Sequence, residues 1–222
     1  MKKQIVANIA SHNLGKGFEM LLGMLLVPFL IGKLGAKGFG LIVLAESLVR
    51  FSEFSVSGLR IALGRYVGVA INRKQYSAAN EYLSTGSLLL IALVGVLAAL
   101  GAIVLLRFTD MFSVPDGFTD QARPFMLMMM MAFLIHVWFV PVWSVLYAYQ
   151  RFDLTNLYVA CRNIFRSLSC FLVYLVLPPA LYYYGIIYLC AVVIEQVLIV
   201  RGARRLFPGL NISLRLFSRS HL

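Results

Sequence analysis

The stretch FGLIVLAESLVRFSEFSVSGLRIALGRYV, Phe39 to Val67, decides how the chain must fold. It is apolar enough to lie in a bilayer, yet it carries Glu46, Arg50, Glu53 and Arg60. Together with Ser57 and Gly64 these residues follow one another at steps of four and three, which puts them on one face of a helix. A charge at bilayer depth costs at least about 2.5 kcal/mol, so such a stripe faces something other than lipid. It asks for a water-filled cavity or a buried polar seam.

The surrounding chain fits a membrane. Of its 222 residues 61% are hydrophobic and 13% charged, against about 45–50% and about 25% in soluble domains. The formal net charge of +11 raises nucleic-acid binding as a reading. The Lys and Arg residues sit mainly at the ends of apolar segments, where they encode topology, and no basic face interleaved with aromatics remains for a nucleic acid. Six apolar stretches are long enough to cross, at residues 5–31, 39–65, 86–106, 124–147, 156–177 and 181–200; a crossing needs about 20 residues. The predicted fold class is therefore all-α integral membrane, with six transmembrane helices in a lobe at residues 1–200. A basic cytoplasmic tail or inter-lobe connection follows at 201–222. Asn8, His12, Lys16 and Glu19 interrupt the first apolar run, so it reads as a retained helix rather than a signal peptide. Positive charges gather on one side, Lys2, Lys3, Arg73, Lys74, Arg151, Arg201, Arg204, Arg205, Arg215 and Arg219, against Lys33, Lys37, Arg107 and Arg123 on the other. That bias places both termini in the cytoplasm.

The first helix has its own stripe of Asn8, His12, Lys16, Glu19 and Gly23, with Lys16 and Glu19 close enough to pair. The third is apolar all round and reads as scaffold. The fourth opens on Met126, Met128, Met129, Met130 and Met131, which read as core or lipid filling before a soft substrate surface. His136 reads as a hydrogen-bonded structural group, and Pro141 predicts a kink. On the fifth helix Arg162 can snorkel to the headgroups. Arg166 lies about 15 Å along the helix from Asn156, too deep for that. Glu195 falls less than two turns before Arg201, so interfacial water and the basic helix end account for it. No phosphate loop, metal-ligand cluster or Ser/His/Asp constellation occurs, so the sequence predicts a protein that is not an enzyme and carries no cofactor or metal. Cys161, Cys170 and Cys190 are isolated packing residues.

Several phrases occur in a telling order. Leu34-Gly35 precedes Phe39-Gly40-Leu41; Ser57-Gly58-Leu59 and Arg65-Tyr66-Val67-Gly68 follow. Then come Tyr149-Gln150-Arg151-Phe152-Asp153 with Asn156, and Leu214 to Ser220 near the end. Over nearly the whole chain this resembles the amino-terminal half of a polysaccharide-export flippase, the O-antigen-translocase type of the multidrug/oligosaccharidyl-lipid/polysaccharide exporter superfamily. The resemblance implies a location in the plasma (inner) membrane and two six-helix lobes around a central cavity. It also implies alternating access for a lipid-linked oligosaccharide of polysaccharide or lipopolysaccharide biosynthesis. The partners it implies are membrane lipid, that glycan, and a second lobe, in cis or as another chain, which these 222 residues do not include. A diphosphate passenger needs cations, and Lys16, Arg50, Arg60 and Arg166 are the candidates for binding it. Glu19, Glu46 and Glu53 are candidates for holding them or for coupling to protons or sodium. Internal ion pairing competes closely as an account of each residue taken singly, and the cavity is the preferred reading because the charges form faces. Two other readings stand beside this one: a cation-coupled multidrug antiporter lobe, and a non-transporting remnant or scaffold.

Overall fold

A computed structural model gives the architecture. It describes residues 2–108, 112, 114, 115 and 117–209, with the backbone alone for residues 2–12, 14, 52, 53 and 55. Among the described residues the secondary structure is helical throughout: α1 Lys2–Asn72, α2 Tyr76–Leu106, α3 Thr119–Trp138, α4 Val140–Ala148, α5 Phe152–Val176 and α6 Leu181–Leu206.

Helix α1 is two helices. Gly35, with φ 72° and ψ 167°, breaks it into an N-terminal arm and a C-terminal arm. One cavity is lined by Glu19 and Arg50, by Gly23 and Glu46, and by Leu30 and Phe39. Each of these pairs lies within one residue of equal distance from Gly35. On a straight helix Glu19 and Arg50 would stand about 46 Å apart; they meet because the arms fold back antiparallel. The backbone at Gly35 occupies a region essentially reserved for glycine. We predict that Gly35→Ala lowers stability by about 1–3 kcal/mol. Gly40→Ala, where an added methyl meets nothing within 4 Å, serves as the control in thermal unfolding. Equal melting of the two variants would refute the assignment of strain to Gly35.

Among the described residues four helices are long and apolar enough to cross a membrane, or five if the bent pair α3 and α4 is one span. The first of the four, Gly15–Phe51, contains the Gly35 fold, so two of the six stretches read from the sequence fall within α1. The bend between α3 and α4 is 46°. It falls at Phe139, with Pro141 in the first turn of α4, where proline's missing N–H costs the helix nothing. This is the kink expected from Pro141. Helix α2 begins ten residues before the predicted third span, and α6 continues six residues past the predicted lobe boundary at 200. Residues 210–222, most of the predicted tail, lie outside the described residues.

Two apolar clusters hold the bundle. Near the Gly35 end Leu30, Ile42, Phe108, Phe125, Met129 and Tyr174 are packed together. At the other end Val67, Leu83, Val145, Leu146, Ile199 and Phe207 form the second cluster. There Phe207 lies against Tyr76, ring centroids 5.8 Å apart, and Asn80 donates to the Gly209 carbonyl at 2.9 Å.

Candidate functional site

Glu46 is the hub of the site. It sits on the C-terminal arm of α1, about 16 Å along the helix from Gly35. Its Oε1 accepts hydrogen bonds from Arg166 Nη1 of α5 at 2.8 Å and from Tyr184 Oη of α6 at 2.6 Å. Its Oε2 is 3.5 Å from Arg50 Nη2. Three helices thus converge on one carboxylate, and the two short contacts are charge-assisted bonds of the strong kind. Arg166 also lies over the ring of Tyr188 at 5.9 Å, an arrangement that suits a guanidinium. Its buried Nε has no hydrogen-bond partner among the described residues.

The hub opens on a cavity of about 190 Å³ between the two arms of α1, α5 and α6. Its polar lining comprises Glu19, Glu46, Arg50, Asn163, Arg166, Ser167 and Tyr184. A second cavity of about 160 Å³ shares Glu19 and Asn163 with it and adds Lys16 and Asn156. Lys16 and Glu19 pair at 3.3 Å but remain 65% and 43% exposed. Lys16 and Glu19 of the first stripe and Glu46 and Arg50 of the second thus line two adjoining cavities, where the described charges, with Arg166, are three cations against two carboxylates. Arg50 is the least compensated of them. Its side chain is 75% exposed, and its one described carboxylate contact, to Glu46, is long.

Of the predicted site residues, Lys16, Glu19, Glu46, Arg50 and Arg166 come together here. Arg60 does not. It stands over the ring of Tyr147 of α4 at 5.7 Å and, with Ser57 and His136, lines a separate cavity of about 10 Å³ beside the α3–α4 bend. The side chain of Glu53, like those of Asn8 and His12, lies outside the described residues.

Two readings of the sequence need correction. Arg162 does not snorkel; its Nη1 donates to Glu195 Oε2 at 3.1 Å inside the bundle. Glu195 is not bathed by interfacial water; it is fully buried. Gln196 Nε2 also reaches Glu195 at 3.4 Å, while Trp143 Nε1 donates to Gln196 Oε1 at 3.1 Å. His136 Nδ1 lies 3.4 Å from Gln196 Nε2 and 3.9 Å from Glu195, so its structural reading holds. Gln196 carries no reading from the sequence, and Tyr184, which with Tyr182 and Tyr183 of the 178–185 turn reads as a headgroup-level tyrosine, is instead buried against Glu46. Both lie one position from, or within, a pattern that marks them: Gln196 follows the buried acid, and Tyr184 closes the tyrosine run at the start of α6. Helix α5 is stitched on two sides, with Arg166 and Arg162 one turn apart taking carboxylates from α1 and α6.

The fold and site define an all-α, multi-pass membrane protein with a cation-rich polar recess inside its helical bundle. Residues 14–172 match the MatE family. The chain belongs to that family, whose members are membrane transporters within the multidrug/oligosaccharidyl-lipid/polysaccharide exporter superfamily. The uncharacterized membrane protein EpsK of Bacillus subtilis (strain 168) is 22% identical over 200 residues, covering 89% of this chain and 39% of EpsK. The chain therefore spans well under half the length of this relative. No solved structure matches it.

Proposed function

We propose that the chain is one lobe of an exporter that moves a lipid-linked oligosaccharide across the plasma membrane, both termini facing the cytoplasm. A second six-helix lobe, in cis or from another chain, closes the recess from the opposite side. The observation that carries this reading is the charge arrangement around Glu46. Arg166 and Tyr184 occupy the carboxylate at short range, so Arg50 keeps an exposed guanidinium at membrane depth with little to offset it. A planar cation of that kind suits the oxygens of a diphosphate. Lys16, at the far end of the recess, supplies a second cation 65% exposed.

A cation-coupled drug antiporter needs a carboxylate free to bind and release its ion. Glu19, 43% exposed beside its Lys16 partner, is the residue that favours this second reading. The discriminating experiment compares two variants of the intact gene product in cells. Arg50→Gln should reduce lipid-linked glycan export at least tenfold and cause the unexported glycan to accumulate, with protein abundance unchanged. Glu19→Gln should leave pH-dependent dye efflux as it was. Normal glycan export in Arg50→Gln would reject the proposal, and efflux abolished by Glu19→Gln would replace it with the antiporter.

A further inference from the structure

Helix α5 carries polar residues besides its arginines. Asn156, Asn163 and Ser167 stand at steps of seven and four, which a helix gathers on one face. That face meets the arms of α1, and Asn163 lines both of the cavities there. Asn163 is only 5% exposed. Arg162 Nε donates to its Oδ1 at 3.4 Å, which orients the amide, and no hydrogen bond from its Nδ2 is found among the described residues. A buried amide N–H pair without an acceptor is costly. The space it borders is the pair of cavities, so its acceptor comes from what fills them. The two cavities differ in what they can hold. The larger, of about 190 Å³, has Arg50 and Arg166 in its wall and suits an anion. In the smaller, of about 160 Å³, the described charges are Lys16 and Glu19, which offset each other at 3.3 Å. Asn156 and Asn163 add amides, and Gly15, Val159 and Ala160 complete the wall.

We infer that the smaller cavity receives the first sugar of the transported glycan, an uncharged pyranose, and that Asn163 Nδ2 donates to one of its hydroxyl or acetamido oxygens. The inference rests on the exporter reading, in which Arg50 and Arg166 take the diphosphate. That sugar is bonded directly to the diphosphate, so the two groups fall in adjoining cavities. A hydroxyl both donates and accepts, and Asn163 and Glu19 offer one partner of each kind. A phosphate or an acidic sugar would bring a net charge that this wall, with Lys16 already offset by Glu19, does not match. A metal ion is a poor occupant too. Arg162 takes the oxygen of the amide, and hard cations need oxygen ligands rather than N–H groups. Val159 and Ala160 suit the C–H face of a pyranose ring. A site that hydrogen-bonds a substrate hydroxyl rejects the analogue lacking it, which makes Asn163 a specificity-determining residue.

The test measures the affinity of the full chain in detergent for geranyl diphosphate and for the same lipid diphosphate carrying N-acetylglucosamine or glucuronic acid. The N-acetylglucosamine compound should bind about tenfold tighter than geranyl diphosphate, as one or two net hydrogen bonds would give. The glucuronic acid compound should show no such gain. Asn163→Leu should bring the N-acetylglucosamine ratio below about threefold. Gly15→Leu should do the same if Asn163→Leu does not fold, since a Cβ at Gly15 meets nothing within 4 Å and the longer side chain fills the cavity. A ratio near one in the unsubstituted chain, a ratio unchanged in either folded variant, or an equal gain from glucuronic acid would overturn the inference. So would a sodium-induced rise in melting temperature that Asn163→Leu removes, which would assign the amide to a cation. The ratio is read separately from the affinity for geranyl diphosphate itself, which tests the exporter reading through Arg50→Gln; if none of the compounds binds, both fall.

Discussion

Glu195→Ala is expected to destabilise the folded chain by about 3–5 kcal/mol, the cost of removing one partner from a buried ion pair. Glu195 is fully buried and Arg162 22% exposed, so the guanidinium left behind has little access to water. Gln196 Nε2 loses an acceptor in the same step. Since Gln196 also accepts from Trp143, the damage reaches α4 beside the α3–α4 bend. Arg162→Met combined with Glu195→Leu should recover most of the loss, because apolar replacement of a whole buried pair is often neutral or better. Denaturant titration of the unsubstituted chain, Glu195→Ala and the double variant in one detergent measures both the loss and the recovery. A single-variant loss below about 1 kcal/mol would show that Arg162 finds water or headgroups after all.

The Arg162–Glu195 pair also marks where sequence reading stopped. The helices, the Pro141 kink and the helix faces that carry Lys16 with Glu19 and Glu46 with Arg50 were legible because each depends on local spacing. Glu46, Arg50, Lys16 and Glu19 stand at steps that a helix converts directly into faces. Which carboxylate meets which arginine is a different matter, set by the rotation of α5 and α6 against each other. Distance along the helix placed Glu195 near the basic end of α6, and by depth alone water was a sufficient partner. Rotation turned it inward, and burial followed. Arg166 escaped the same error because its depth already excluded snorkelling, although the sequence did not name Glu46 and Tyr184 as its partners. The fold at Gly35 was legible only as a short connection between two spans. Its sharpness rests on a backbone conformation that no pattern of side chains reports.

Glu46→Ala separates packing from function within the recess. It should destabilise by about 3 kcal/mol, the low end for a broken buried pair, since Glu46 and Arg166 are each 20% exposed. Tyr184 loses its acceptor at the same time. Glu46→Gln retains an oxygen for Tyr184 and should cost less, yet it removes the carboxylate that Arg50 and Arg166 both contact. Two guanidinium groups then line the cavity of about 190 Å³ with Glu19 as its remaining described carboxylate, a balance that favours a bound anion. The expected signature is a Glu46→Gln protein whose melting temperature rises with added pyrophosphate more than that of the unsubstituted chain, because a ligand that binds only the folded state stabilises it. Arg50→Gln in the same background should abolish that rise while leaving the ligand-free melting point within about 1 °C, as its exposed, weakly paired side chain contributes little to stability. An equal pyrophosphate response in all three proteins would show that the anion binds elsewhere, and Arg50 would lose its place in the site.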